Sequence, residues 1–278
     1  MTTMNSDVKP TKVWMQRLLL LASVLVFLAG VQLFVLSEHT DRFFAWTIKL
    51  PLTAAFLGAG YWASFSLEYL ASRERTWARA RVAVPGVLVF TTLTLVTTLL
   101  YFDKFHFGSA DWVARLAAWS WLGVYGTVPL MMTAILVTHV RAPGGEPERQ
   151  APMPRWMMAV LSAQAVVMLA LGLALFLAPE LVAPAWWPWA LTALAGRAVA
   201  AWLLGLGVAV AHSVWEADYG RVRAGTASLA VFGLLQFVAL ARYGSAVDWA
   251  RPVTWGYIVL MVSFVVVGVV GWAAAREA

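Results

Sequence analysis

The chain is a succession of long apolar stretches separated by short polar ones. About 20 residues of helix, at 1.5 Å per residue, cross the hydrocarbon core of a bilayer. Barrel strands would be about half as long and would alternate polar and apolar residues, which these stretches do not. The pattern predicts eight transmembrane helices, at about residues 17–36, 48–70, 82–102, 115–139, 156–178, 190–213, 224–243 and 253–273.

A second pattern is an internal repeat with an offset of 142 residues. Its clearest pairs are Trp14 and Trp156, Met15 and Met157, Gly30 and Gly172, Phe90 and Phe232, and Tyr101 and Tyr243. A long fixed period indicates a duplicated unit. Each copy holds four predicted helices, and an even number inserts both copies the same way up, as parallel repeats about a pseudo-twofold axis along the membrane normal. The predicted parts are a first repeat at 1–141, a Pro- and Gly-rich cytoplasmic linker at 142–154 and a second repeat at 155–278.

Composition places these helices in lipid. Hydrophobic residues make up 62% of the chain and charged residues 12%, with a mean hydropathy of +0.75. Soluble domains carry about 25% charged residues. No polar segment is long enough to form a soluble domain with its own core. We therefore expect an all-α integral membrane protein whose main partner is the lipid bilayer.

Basic residues predict the orientation. Thirteen Lys and Arg residues fall on the side of the N-terminus and seven on the other, so both termini are expected in the cytoplasm. The arginines flank the spans and form no continuous face, so the net charge of +6 indicates attraction to anionic lipid and not to nucleic acid. The excess of Arg over Lys is typical of a GC-rich genome, and we expect a bacterial inner membrane.

The second helix of each repeat carries small residues four positions apart. Ala54 and Gly58 have this spacing in the first copy, and Ala201 and Gly205 have it in the second. Such spacing lets two helix backbones approach closely in lipid. We expect these two helices to pack tightly.

Each repeat also has one basic residue near the outer end of this helix. These residues are Lys49 and Arg197, and Arg197 lies about seven residues inside its predicted span. A charge at that depth either reaches back to the head groups or needs a partner. The alternative is a pair of cations lining an outward-facing vestibule, where they would bind an anionic ligand or meet Glu38 or Glu180.

The outer loop of each repeat pairs an acid with a base. Asp111 precedes Arg115 by four residues, and Asp248 precedes Arg251 by three, so each pair shares one face of a helix start. An Asp in this position caps the helix, and its negative charge interacts favourably with the positive end of the helix dipole. Acid–base chemistry or proton binding by the two carboxylates is the alternative interpretation.

Two further features belong to one copy only. Thr91, Thr94 and Thr98 lie along one face of the third span, where hydroxyls either bond to their own helix or line a path for water. Residues 186–189 contain three tryptophans and predict a short interfacial helix or a re-entrant lip.

Cofactor chemistry has little support. The chain has no cysteine, which excludes disulfides and iron–sulfur clusters. A haem between His139 and His212, or a cation near His39 and His106, would need these residues to converge, and we predict no cofactor and no metal.

The leading functional hypothesis is a small-molecule or lipid permease or carrier with its site between the repeats. A non-catalytic scaffold or sensor is the alternative, and an interfacial enzyme acting on a lipid-linked substrate is a weaker one. No catalytic residues are assigned. The sequence leaves open whether the protein forms a homo-oligomer.

Overall fold

A computed structural model describes residues 8–277, which form helices and short connections with no strand longer than an isolated bridge. The first half contains α1 (Val13–Gly30), α2 (Thr40–Phe43), α3 (Pro51–Ser72), α4 (Trp77–Ala80), α5 (Ala83–Leu100) and α6 (Trp112–Val140). The second half contains α7 (Arg155–Leu177), α8 (Pro179–Trp186), α9 (Ala193–Glu216), α10 (Tyr219–Tyr243) and α11 (Pro252–Glu277). Each of the eight predicted spans overlaps one long helix.

Seven of the long helices within residues 8–277 are apolar enough to cross a membrane. They are α1, α5, α6, α7, α9, α10 and α11. The expectation of an all-α, multi-pass membrane protein is thereby confirmed. Helix α3 is long enough at 22 residues but less apolar. Its polar residues are Thr53, Tyr61, Ser64, Ser66, Glu68, Tyr69 and Ser72.

Helices α3 and α9 form the interior of the bundle. The apolar stretch of α9 is 72% buried, against 28% for those of α6 and α11. Helix α1 packs on α3, and α7 packs on α9 in the same way. The two halves also contact each other, because α10 of the second half packs on α3 of the first and α5 of the first packs on α9 of the second.

Glycines set the closest of these approaches. A Cβ on Gly58 would lie 2.5 Å from the backbone nitrogen of Phe34, where the π-helical turn Val31–Val35, which extends α1, crosses α3. One on Gly268 would lie 2.4 Å from the nitrogen of Ala230, where α11 crosses α10. Because backbone atoms cannot move aside as a flexible side chain can, both positions require glycine.

The fourth helices of the two halves pack differently. Helix α11 lies close against α10 along much of its length, whereas α6 contacts α5 less closely. The glycines Gly123 and Gly126 of α6 face open space. Aromatic rings fill the interior of the first half instead, and they include Phe44, Trp46, Tyr61, Phe90, Trp121 and Tyr125.

Residues 142–154 join the halves without a helix of their own but are tied to the bundle by charge. Glu146 accepts hydrogen bonds from Arg81, and Arg221 also reaches it, at 3.4 Å. Arg81 and Arg221 also bind the fully buried Glu216 at the end of α9, each at 3.0 Å to Oε2. Burial by itself lowers the pKa of Arg81, but its bonds to Glu216 and Glu146 outweigh this and the pKa is raised.

We call the end of the bundle that holds this cluster and residues 142–154 the linker end.

Replacing Gly58 tests the α1–α3 crossing. Gly58→Ala puts a methyl group into backbone atoms of α1, and we expect it to lower the free energy of unfolding by about 1–3 kcal/mol. Gly123→Ala is the matched control, because nothing lies within 4 Å of its Cβ position. Denaturation in detergent measures both, and equal stability of the two variants would contradict the crossing.

Replacing Glu216 tests the charge cluster. Glu216→Gln removes the buried carboxylate that Arg81 and the buried Arg221 share and leaves them only the exposed Glu146, so we expect a loss of about 3 kcal/mol in the free energy of unfolding. The control is Asp103→Asn, which removes the exposed pair of Asp103 with Lys104 and should leave the unfolding midpoint unchanged. A Glu216→Gln protein as stable as this control would show that the cluster contributes nothing.

Candidate ligand cleft

A cleft of about 810 Å³ lies between α7 and α11 in the second half. It exists because these two helices touch only briefly, while α7 packs on α9 and α11 packs on α10. Its walls are mostly apolar, from α7 Val160, Val167, Met168 and Leu171, and from α11 Val253, Val259, Leu260 and Met261. Val167 and Val259 are also exposed on the outside of the bundle, so the cleft opens sideways toward lipid.

Arg251 builds the rim of the cleft at the end opposite the linker. Its guanidinium donates to the carbonyl oxygens of Pro184 at 2.6 Å, Ala185 at 2.9 Å and Trp187 at 3.0 Å. These bonds fix the end of α8 and the tryptophan segment after it against the start of α11. The rim therefore carries a positive charge beside an apolar opening.

A series of hydrogen bonds closes the back wall of the cleft. Tyr257 donates its hydroxyl to Gln236 at 2.9 Å, and the amide of Gln236 donates to the carbonyl of Phe56 at 3.2 Å. Phe56 belongs to α3, so the first half contributes the rear surface. Both polar atoms of the Gln236 amide therefore have a partner.

Two buried polar atoms of cleft-lining residues have no partner within residues 8–277. Gln164, 3% exposed, donates to Ser263 at 2.9 Å, and Ser263 in turn donates to the carbonyl of Leu260. This direction leaves the amide oxygen of Gln164 unpaired. The indole N–H of Trp187, 2% exposed, is also unpaired. Unpaired polar atoms in apolar surroundings are costly, and both atoms belong to side chains that line the cleft, although neither atom is itself exposed to it.

The predicted cations lie in different surroundings. Lys49 lines a pocket of about 320 Å³ where the first half, at Trp46 and Thr53, meets the second, at Ala190 and Ala195. Arg197 donates instead to the hydroxyl of Tyr101 and lies over its ring. Arg197 has thus found a partner across the halves, and the shared vestibule remains a hypothesis for Lys49.

The threonine stripe faces the aromatic interior of the first half. Thr91 donates to the carbonyl of Val87 and Thr98 to that of Thr94, each at 2.8 Å. Thr98 also accepts the indole N–H of Trp121 at 2.9 Å. Thr94 and Thr98 line a space of about 10 Å³, roughly enough for one water.

In the first half, the outer-loop acid and base bind their own loop. Asp111 accepts the backbone N–H of Val113 at 2.9 Å, as a helix cap does, and pairs with Arg42 at 3.4 Å. Arg115 donates to the carbonyl of Ser109 at 3.1 Å.

In the second half, Asp248 and Arg251 bind different parts of the structure. Asp248 accepts the N–H of Ala250 at 3.1 Å, while Arg251 reaches the rim of the cleft. Within residues 8–277 the two carboxylates form no bond with each other, and no three His, Asp or Glu residues are placed to hold a metal ion.

Sequence reasoning named Arg251 and the tryptophan segment 186–189 but did not predict that they border a cleft with Gln164. Gln164 resembles any single amide in a membrane helix, and Trp187 resembles a member of an interfacial belt. Their missing partners depend on a gap between helices far apart in the chain. The only sign of the cleft in the sequence was that the tryptophan segment has no matching segment in the first half.

Comparison with known proteins gives no family for the chain. No protein-family profile matches it, and searches of curated proteins and of solved structures find no significant match. Its functional interpretation therefore depends on the geometry of the cleft.

Proposed function

We propose that the protein binds a single-chain lipid in the α7–α11 cleft and acts as a membrane lipid carrier. The observation that carries this proposal is an apolar cleft, open to the bilayer, whose wall includes two side chains, Gln164 and Trp187, that each have a buried unpaired polar atom. Its volume of about 810 Å³ falls in the range of small-molecule sites. The site lies in the second half, with Phe56 of the first half behind it, and is thus not a symmetric site between the halves.

The shape of the cleft favours an elongated ligand. Arg251 at the rim and Ser263 beside Gln164 lie at either end of a stretch of α11 that is about 18 Å long by helical rise. Apolar side chains line most of that length. An acyl or isoprenoid chain suits a cleft of this length and lining, because it would move from the bilayer into similarly apolar surroundings.

The polar atoms favour a particular ligand chemistry. The N–H of Trp187, near the rim, suits a carbonyl oxygen, and the amide oxygen of Gln164, deeper in the cleft, suits a hydroxyl or N–H group. Arg251 adds a positive charge at the opening, where an acidic head group would lie. A singly acylated lipid with these oxygen functions fits all three residues.

The arrangement of helices supports two parallel four-helix repeats. Helix α3 contacts α1 and α10, and α9 contacts α7 and α5, which is the exchange that a pseudo-twofold axis produces. We infer that α3 is an eighth span whose polar residues are shielded by its neighbours. We further infer that both termini face the cytoplasm of a bacterium, as the distribution of basic residues predicts.

Filling the cleft tests the proposed function. Gly256 lines the cleft, and nothing lies within 4 Å of its Cβ position. Gly256→Phe should reduce the amount of lipid that copurifies with the protein at least about tenfold, because a steric loss of only 1.4 kcal/mol has that effect. Mass spectrometry of the purified protein after extraction measures the lipid.

Two further variants separate binding from folding. Gly123→Phe places the same side chain in open space on α6 and should retain the lipid. Trp187→Phe removes the unpaired donor and should weaken lipid binding, with a loss of stability from the smaller buried ring that is measured on the lipid-free protein. Equal lipid content in the Gly256→Phe and Gly123→Phe proteins would exclude the cleft as the binding site.

A further inference from the structure

Glu68 is a carboxyl group inside the bundle, one turn before the linker end of α3. It is 1% exposed. Its Oε1 accepts the hydroxyl of Ser64 at 2.8 Å, and its Oε2 has no partner within residues 8–277. A carboxylate in such surroundings would be a bare charge at high energetic cost, so the neutral acid is the favoured form.

The basic groups nearest the linker end of the helices packed around Glu68 have other neighbours. Arg17 in α1 lies over Trp14, Arg81 before α5 and Arg221 in α10 pair with Glu216, and His212 in α9 lies 3.2 Å from Glu216. Arg223 in α10 lies over Trp272, and its Nε has no hydrogen-bond partner in the described residues. Tyr61 in α3 and Tyr125 in α6 are bonded to each other at 2.6 Å. None of the basic groups among them forms an ion pair with Glu68 in the described part of the chain. No counter-charge therefore holds Glu68 ionised.

A small cavity adjoins Ser64 on the side where α5, α9 and α10 meet α3. Its volume is about 20 Å³, and the hydroxyl-bearing residues Ser64 and Ser228 both line it. That volume holds one water molecule, which needs at least two polar partners. Phe90 and Trp202, with ring centroids 4.0 Å apart, form another part of its wall. Ser64 therefore stands between a water-sized space and the carboxyl of Glu68.

We propose that Glu68 is a proton-binding site within the membrane and that it exchanges its proton through Ser64 with water in this cavity. On uptake, a protonated water gives a proton to the Ser64 oxygen while Ser64 passes its own hydroxyl proton to the Glu68 carboxylate. The water is left neutral and the hydroxyl is restored. Release is the reverse, and no electrons are transferred.

This site is independent of the lipid cleft. Glu68, Ser64 and the cavity lie at α3, α5, α9 and α10, and none of the cavity residues lines the cleft. The repeat also gives Glu68 no counterpart: the pairing of Ala54 and Gly58 with Ala201 and Gly205 shifts the offset to 147 in this helix, which aligns Glu68 with Trp215. Proton binding would therefore be a property of the first half alone.

Infrared spectroscopy of the full chain in lipid nanodiscs tests the proposal. At neutral pH the wild type should show the C=O stretch of a protonated carboxyl, absent in Glu68→Gln and shifted to lower frequency in D₂O. In Ser64→Ala the band should change frequency, because the hydrogen bond between Ser64 and the carboxyl group is lost. Its shift in D₂O should be slower at least about tenfold, because the connecting hydroxyl is gone. Glu38→Gln, which alters an exposed carboxyl bonded to Tyr243, should leave the band unchanged.

Two results would overturn the proposal. One is the absence of any protonated-carboxyl band that depends on Glu68 at neutral pH. The other is a band that exchanges with D₂O equally fast in wild type and Ser64→Ala, or in neither. The comparison of wild type with Ser64→Ala keeps the carboxyl in place, so it remains decisive if Glu68→Gln does not fold.

Discussion

Close approach of helix backbones is the constraint on which the rest of this structure depends. Apolar side chains gain little by leaving lipid for each other, so helices in a membrane associate where small residues let their backbones touch. Gly58 provides this contact for α1 on α3, and Gly268 for α11 on α10. Gly86 and Gly205 do so for α5 on α9, where a Cβ on Gly86 would lie 2.6 Å from the carbonyl oxygen of Gly205.

The two halves differ because their fourth helices use this contact differently. Helix α11 is drawn against α10 and away from α7, and the lipid-facing cleft is the space that remains. Helix α6 makes no comparable glycine contact in the described residues, and bulky rings occupy the interior beside it. The apolar cleft lies in the second half, and the buried hydroxyls and carboxyl of Thr98, Ser64 and Glu68 lie in the first.

Local patterns in the sequence predicted what depends on neighbours in the chain. The long helices, the absence of a helix at 142–154 and the cap formed by Asp111 all follow from hydropathy, Pro and Gly content, or spacing within a few residues. Features that depend on distant segments were not accessible in this way. The partner of Arg197 is Tyr101, 96 residues earlier, and Glu68 was not singled out because its significance comes from the cavity beside Ser64.

The central claim is that a lipid chain enters the α7–α11 cleft from the bilayer. Photo-crosslinking in nanodiscs with a lipid that carries a diazirine on its acyl chain, followed by peptide mass spectrometry, tests it most directly. The account predicts adducts concentrated on Val160 and Leu260, which line the cleft and are shielded from bulk lipid more than the outer faces are. Adducts spread over the exposed face of α6, at residues such as Leu116 and Leu130, with none enriched in the cleft, would contradict it.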